Sequence, residues 1–228
     1  MLRMTDLSLR YGRNLLIDGV SYAFAPGTVV GLVAPNGAGK TTLMRALACL
    51  PGARPSGSIS VDDIPASDEA SFRRRVFYAP EAHVLLYPGL TVRAHLLMAR
   101  ELWGSGRDLA ETSRACGIDG FLGKRVRSLS QGMRQQAALA VSYLTGARYL
   151  LLDEPMNALD PTNVARHTRL LRERASAGDC VVLSSHILDN VDRVADTILF
   201  IKDGKLVEHD ARGGISSREM YERLYARA

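Results

Sequence analysis

Lys40, Thr41 and Thr42 close a glycine-rich turn in the stretch VVGLVAPNGAGKTTL from Val29 to Leu43, and Asp153 and Glu154 stand side by side after a separate apolar run. A strand, a glycine turn, a lysine and a hydroxyl leading into a helix make a phosphate cradle. The glycines let the backbone N–H groups of Gly37, Ala38, Gly39 and Lys40 approach the oxygens of a triphosphate, with Asn36 in the same set of contacts. The positive end of the following helix faces the same anion. Lys40 is expected to reach the β- and γ-phosphates as a point charge, Thr41 to supply one oxygen of a magnesium shell, and Thr42 to touch the α-phosphate side. Ala34 stands where the strict pattern has glycine, six residues before Lys40. Alanine fits there only at negative φ, so an unstrained backbone is expected.

Tyr149 to Leu152 run straight into Asp153-Glu154-Pro155, so an apolar strand delivers two carboxylates at its C-terminal end. In a parallel sheet that edge is where ligands sit. Successive side chains on a strand point opposite ways, which predicts two different jobs. Asp153 is expected to hold magnesium, directly or through water, and Glu154 to orient and deprotonate a water beside the γ-phosphate.

The elements that must position these groups are visible as periodicities. Apolar residues alternate at Leu2, Met4, Leu7 and Leu9 and again at Ile17, Val20, Tyr22 and Phe24, which predicts antiparallel edge strands, with a further strand at Gly57–Val61. Continuous apolar runs at Val29–Val33, Arg148–Leu152 and Cys180–Ser184 predict parallel strands covered on both faces. Helical patterns between them imply right-handed crossovers and an α/β core. From about Val84 to Leu144 the pattern is helical, broken at Gly104-Ser105-Gly106 and from Gly117 to Gly123.

A chain of 228 residues with 46% hydrophobic content suits one compact domain. Its longest apolar stretch, Ala137 to Leu152, is interrupted by Gly146 and Arg148 and is too short to span a bilayer, so any membrane role goes through a partner. The N-terminus has no secretory apolar region, and the expected location is the cytosol. Cys49, Cys116 and Cys180 have no metal-ligand spacing and read as reduced thiols. The net charge of +5 is spread among 24 interspersed acids. Arg73-Arg74-Arg75 reads as a solvated helix face, and no nucleic-acid partner is expected.

Taken together, these segments resemble the nucleotide-binding subunit of an ATP-binding cassette (ABC) transporter, of a small exporter-like type. The family's diagnostic stretch is similar to Leu129-Ser130-Gln131-Gly132-Met133, which lies between Lys40 and Asp153. The resemblance implies a P-loop NTPase core with a mostly parallel sheet, an N-terminal antiparallel β-subdomain and an inserted helical subdomain. The corresponding boundaries are 1–83 and 145–215 for the core, 84–144 for the helical part and 216–228 for a C-terminal helix. It implies that Ser130 and Gly132 meet the γ-phosphate of an opposite subunit, that Tyr11 stacks on adenine, and that Asp160 organises both sites across the interface. His186 corresponds to the family's switch histidine. Glu81 stands where the family usually has glutamine, and is expected to ligate magnesium and to strengthen the dependence on it. The cofactors implied are ATP and Mg2+. The partners implied are an integral membrane transporter subunit, received in part by Ala82 to Leu90, and a second copy or a paralogous nucleotide-binding subunit. The chain would then lie on the cytoplasmic face of the membrane and drive substrate movement, with export as the expected direction. The alternative is a non-transport cassette ATPase acting on nucleic acid or ribosomes; long coiled-coil insertions or paired cassettes, usual in that group, are absent from these 228 residues.

Overall fold

The computed structural model describes residues 1–51, 54–211 and 213–226. Its strands are β1 (Leu2–Tyr11), β2 (Asn14–Phe24), β3 (Val29–Val33), β4 (Arg54–Val61), β5 (Ile64–Pro65), β6 (Val76–Ala79), β7 (Tyr149–Leu152), β8 (Cys180–Ser184), β9 (Thr197–Lys202) and β10 (Lys205–Asp210). Its α-helices are α1 (Lys40–Leu47), α2 (Glu69–Arg73), α3 (Ala82–Leu85), α4 (Val92–Trp103), α5 (Leu109–Cys116), α6 (Gln131–Leu144), α7 (Pro161–Ser176), α8 (Leu188–Val194) and α9 (Ser217–Tyr225).

The alternating segments form a four-stranded antiparallel sheet in the order β2-β1-β4-β5. β1 therefore lies inside that sheet, not at its edge. The continuous apolar runs lie in a six-stranded sheet, β10-β9-β3-β8-β7-β6, parallel from β9 to β6 with β10 antiparallel at one edge. This is the expected α/β class with a mostly parallel sheet. β6, β9 and β10 extend it beyond the three strands expected from sequence. The β9–β10 link is a two-residue hairpin in which Asp203 and Gly204 both have positive φ, 49° and 75°. An Asp-Gly pair favours that turn, so the signal was present.

Every residue of β3, β7 and β8 is buried, because a period of two sends neighbours to opposite faces and both faces are covered. One face packs Val29, Leu150, Leu152 and Leu183 with the apolar sides of α4, α5 and α6. The other packs Val30, Leu32, Leu151 and Val182 with Leu43 and Met44 of α1 and with the inner residues of β1 and β2. Each fully buried aliphatic side chain contributes roughly 1.5–3 kcal/mol. Burial on both faces thus holds the strand register, and register decides which side chains meet at the strand ends.

Among the described residues no helix is long and apolar enough to cross a membrane. Arg73, Arg74 and Arg75 are exposed, with Arg73 paired to Glu69 and Arg75 to Asp62. Residues 227 and 228 of the expected 216–228 helix lie outside the described residues.

Candidate active site

At the C-terminal end of β3 the chain turns through residues 34–39 into α1. Gly39, the N-cap of α1, has φ 102°, and a Cβ built there would lie 3.1 Å from that of Leu16, so both conformation and space select glycine. Ala34 is not among the described residues with positive φ, as its side chain requires. Its carbonyl accepts from Lys40 Nζ at 2.7 Å, which folds the lysine along the loop. Burial draws the Lys40 ammonium below its ordinary pKa, opposed by the carboxylates of Glu154 and Asp153.

Asp153 is buried at the end of β7 and accepts three hydroxyl donors. Thr41 Oγ1 and Tyr78 OH donate to its Oδ2 at 2.7 and 3.0 Å, and Ser184 Oγ donates to its Oδ1 at 2.5 Å. Ser184 Oγ also accepts the backbone N–H of Glu154 at 2.9 Å. Burial, and then the charge of Asp153, raises the Tyr78 phenol well above its ordinary pKa, so it remains a donor. Glu154 has φ 49°, a conformation that costs a non-glycine residue of order 1–3 kcal/mol and that clusters at functional sites. Its Oε2 lies 3.0 Å from His186 Nδ1. The two acids thus diverge, one toward the Thr41 hydroxyl and the other toward the imidazole.

Gly39, Lys40, Thr41, Asp153, Glu154 and His186 line one cleft of about 540 Å³, together with Tyr11, Asn36, Gly37, Thr42 and Glu81. Asn14 and Leu16 complete its wall without having stood out in the sequence, with Asn157 from the stretch just before Asp160. Glu81 precedes α3 as its N-cap and pairs with His83 Nδ1 at 3.5 Å. A divalent cation fits the Thr41–Asp153 pair by chemistry, since a hydroxyl and a carboxylate are hard oxygen donors. Among the described residues no group of three or more His, Cys, Asp or Glu forms a self-sufficient metal cage. Magnesium typically keeps several waters and takes substrate phosphate oxygens as ligands, which suits so sparse a protein contribution.

Ser130, Gly132 and Asp160 belong to a second constellation and are not part of that lining among the described residues. Ser130 caps α6, its Oγ accepting from Met133 N at 3.2 Å. A Cβ on Gly132 would lie 2.8 Å from the carbonyl oxygen of Ala158, itself at φ 61°. Only a residue without a side chain lets that backbone approach so closely. Asp160 caps α7 ahead of Pro161 and accepts from Asn163 N at 2.9 Å and Nδ2 at 2.6 Å. Those bonds hold its carboxyl below the usual pKa. Gln135 of α6 ties this region to the segment just after the acids, donating to Pro155 O at 2.9 Å, and Gln136 ties it to α7, donating to Asn163 Oδ1 at 2.7 Å.

The family model described as "ABC transporter" matches residues 17–157. The hemin import ATP-binding protein HmuV of Streptomyces coelicolor is 34% identical over 96% of this chain and 81% of its own length. The lantibiotic transport ATP-binding protein SrtF of Streptococcus pyogenes is 30% identical over 97% of this chain and 96% of its own. Among solved structures, an ATP-binding subunit of an ABC transporter superposes with a TM-score of 0.87 at 26% identity, covering 98% of this chain and 99% of that one. A dimeric ATP-binding cassette in a post-hydrolysis state bound to ADP and Pi has the same fold, with a TM-score of 0.81 at 22% identity over 93% of this chain and all of that one. A glycine-rich lysine loop beside paired carboxylates, the family match and relatives of at least 30% identity along nearly the whole chain lead to one assignment: the chain belongs to the ABC transporter family, as an ATP-binding subunit.

Proposed function

We propose that this chain hydrolyses ATP at an interface between two copies, or with a paralogous subunit, and thereby moves a membrane-embedded transporter partner. The observation that carries the reading is the divergence of Asp153 and Glu154 beneath the Lys40 loop, one bound to Thr41 and the other to His186. The loop N–H groups, Lys40 and Thr42 bind the phosphates, with Asn36 beside them, and Tyr11 stacks on the base. Thr41 and Asp153, with Glu81 at the cleft wall, hold Mg2+, which when bound neutralises charge on the β- and γ-phosphates. Glu154 accepts the proton of the attacking water while His186 fixes its carboxylate and donates toward the γ-phosphate. Ser130 and Gly132 of one copy present the N-terminus of α6 to the γ-phosphate bound by the other, with Asp160 at the same junction. ATP then binds the closed pair better than the open one, which is what a ligand needs in order to drive a shape change.

The docking face for the membrane partner is the segment after Glu81, where Val84 and Tyr87 are each 64% exposed. Such a partner places the chain on the cytoplasmic side of a membrane. Relatives include both an import protein and Nod factor export proteins. Export is the direction adopted here, on the Gln131-Gly132-Met133-Arg134 stretch, and cargo flux in vesicles of known orientation tests it. The main test is Glu154→Gln. Steady turnover should fall on the order of a hundred- to ten-thousandfold, with ATP retained and dimers accumulating in size-exclusion chromatography. Wild-type turnover in that variant would remove Glu154 from the role of base.

A further inference from the structure

We propose that Tyr78 and Ser184 are positioning residues that clamp the Asp153 carboxylate from two neighbouring strands and so set how strongly a divalent cation and ATP bind together at this site. The inference rests on the reading of Asp153 as a cation-holding carboxylate.

Sheet register explains the clamp. Tyr78 is paired with Leu151, and Leu152 with Leu183. One step further along β7, Asp153 lies beside Ser184 and diagonal to Tyr78, and residues two apart on a strand share a face. Asp153 N donates to Ala79 O at 2.9 Å, so the register persists past the end of the strand. The Tyr78 ring packs against the apolar layer shared with Leu43 and Met44, while its hydroxyl reaches Asp153 Oδ2 at 3.0 Å, the oxygen that Thr41 also contacts. Ser184 is fully buried and engages the opposite oxygen, Oδ1. A carboxylate with donors on both oxygens is held in one rotamer, and its charge is already aimed at Thr41 when cation and phosphate arrive.

The two residues differ in one respect. The Tyr78 hydroxyl bonds to the carboxylate and not to Glu154, whereas Ser184 also accepts the Glu154 N–H and holds the left-handed backbone on which the proposed base stands. Tyr78 therefore governs cation coupling alone, and Ser184 governs coupling and proton abstraction together. β6 continues from Tyr78 into Glu81 and α3, which links the clamp to the segment proposed to meet the membrane partner.

The test measures ATP affinity with Mg2+ and with chelator in the Glu154→Gln protein, where the ratio of the two is the cation–nucleotide coupling. Tyr78→Phe should lower that ratio about tenfold, the usual size of an outer-shell loss, while affinity in chelator stays as it was. Ser184→Ala should lower it similarly and, with Glu154 restored, also reduce turnover at saturating Mg2+; Ser184→Thr should recover both. A general structural defect would instead weaken ATP equally in both conditions, and that result overturns the proposal. So does an unchanged ratio in Tyr78→Phe and Ser184→Ala when Asp153→Asn lowers it. If Asp153→Asn also leaves the ratio unchanged, the assignment of Asp153 to the cation fails first, and the clamp with it.

Discussion

The two constellations of this molecule are built by different means. Around Asp153 and Glu154 the groups from β6, β7 and β8 sit at or just past strand ends, with Thr41 added from the first turn of α1, and they bond to one another through Thr41, Tyr78, Ser184 and His186. Around Ser130 and Gly132 the groups sit at helix starts, where side chains cap backbone donors and the remaining N–H groups of the first turn have no partner within the helix. The first arrangement is internally satisfied through side-chain hydrogen bonds, and in the function proposed above it holds the nucleotide. The second, in that proposal, meets the γ-phosphate bound by the opposite copy. The contrast is what the proposal of a paired cassette rests on: one half would supply chemistry and the other the wall that chemistry needs.

The strongest test of that division removes one half at a time. Lys40→Ala should weaken ATP binding at least about a hundredfold, since charge-assisted bonds of roughly 1.5–3 kcal/mol each are lost to two phosphates; equilibrium binding of labelled ATP measures it. Gly132→Val forces a side chain into the Ala158 carbonyl at 2.8 Å and should abolish turnover while leaving ATP binding to the isolated chain intact. Mixing the two inactive proteins should restore about a quarter of wild-type turnover, because half of the random pairs contain one complete site. No recovery on mixing would mean that the halves do not complement across an interface of two copies.

Smaller effects concern stability. His167 is fully buried between α6 and α7, its Nδ1 3.3 Å from Tyr143 OH, and burial pushes its pKa down to about 4 from 6.5. Below pH 6.5 the unfolded chain therefore binds a proton that the folded chain refuses. The His167 contribution to stability should fall, by at most about 1.4 kcal/mol per pH unit, from pH 6.5 down to 4. His167→Gln should flatten that stretch of the denaturation profile relative to wild type, and an unchanged slope would contradict the assignment. The smallest effect is at Asp160, whose carboxyl is held low by Asn163. Its contribution is present above the ordinary aspartate pKa and fades as pH falls through the depressed one. Asp160→Ala should lower the melting temperature slightly at neutral pH and not at strong acid.

Much of the first constellation could be read from order along the chain. Strand, glycine turn, Lys40 and Thr41 are contiguous, so backbone conformation alone brings them together, and Asp153-Glu154 after four apolar residues announces a strand end. Ser130, Gly132 and His186 were legible only through a family pattern. Nothing local distinguishes a cap serine that meets a phosphate from one that merely starts a helix. Tyr78 and Ser184 gave no signal, since Tyr78 lies on β6, a strand the apolar patterns did not predict, and Ser184 closed the apolar run Cys180–Ser184.

What the sequence determined by itself is therefore the loop, the acids and the layered class, because apolar period and turn chemistry act over a few residues. What only the tertiary structure decided is the company those groups keep. Burial on both sheet faces fixes the register of β6, β7 and β8, and that register places two hydroxyls on one carboxylate, joined by Thr41 from α1, while an imidazole meets its neighbour. Pairings between residues 31, 75 or 112 positions apart arise from packing, which no local pattern encodes.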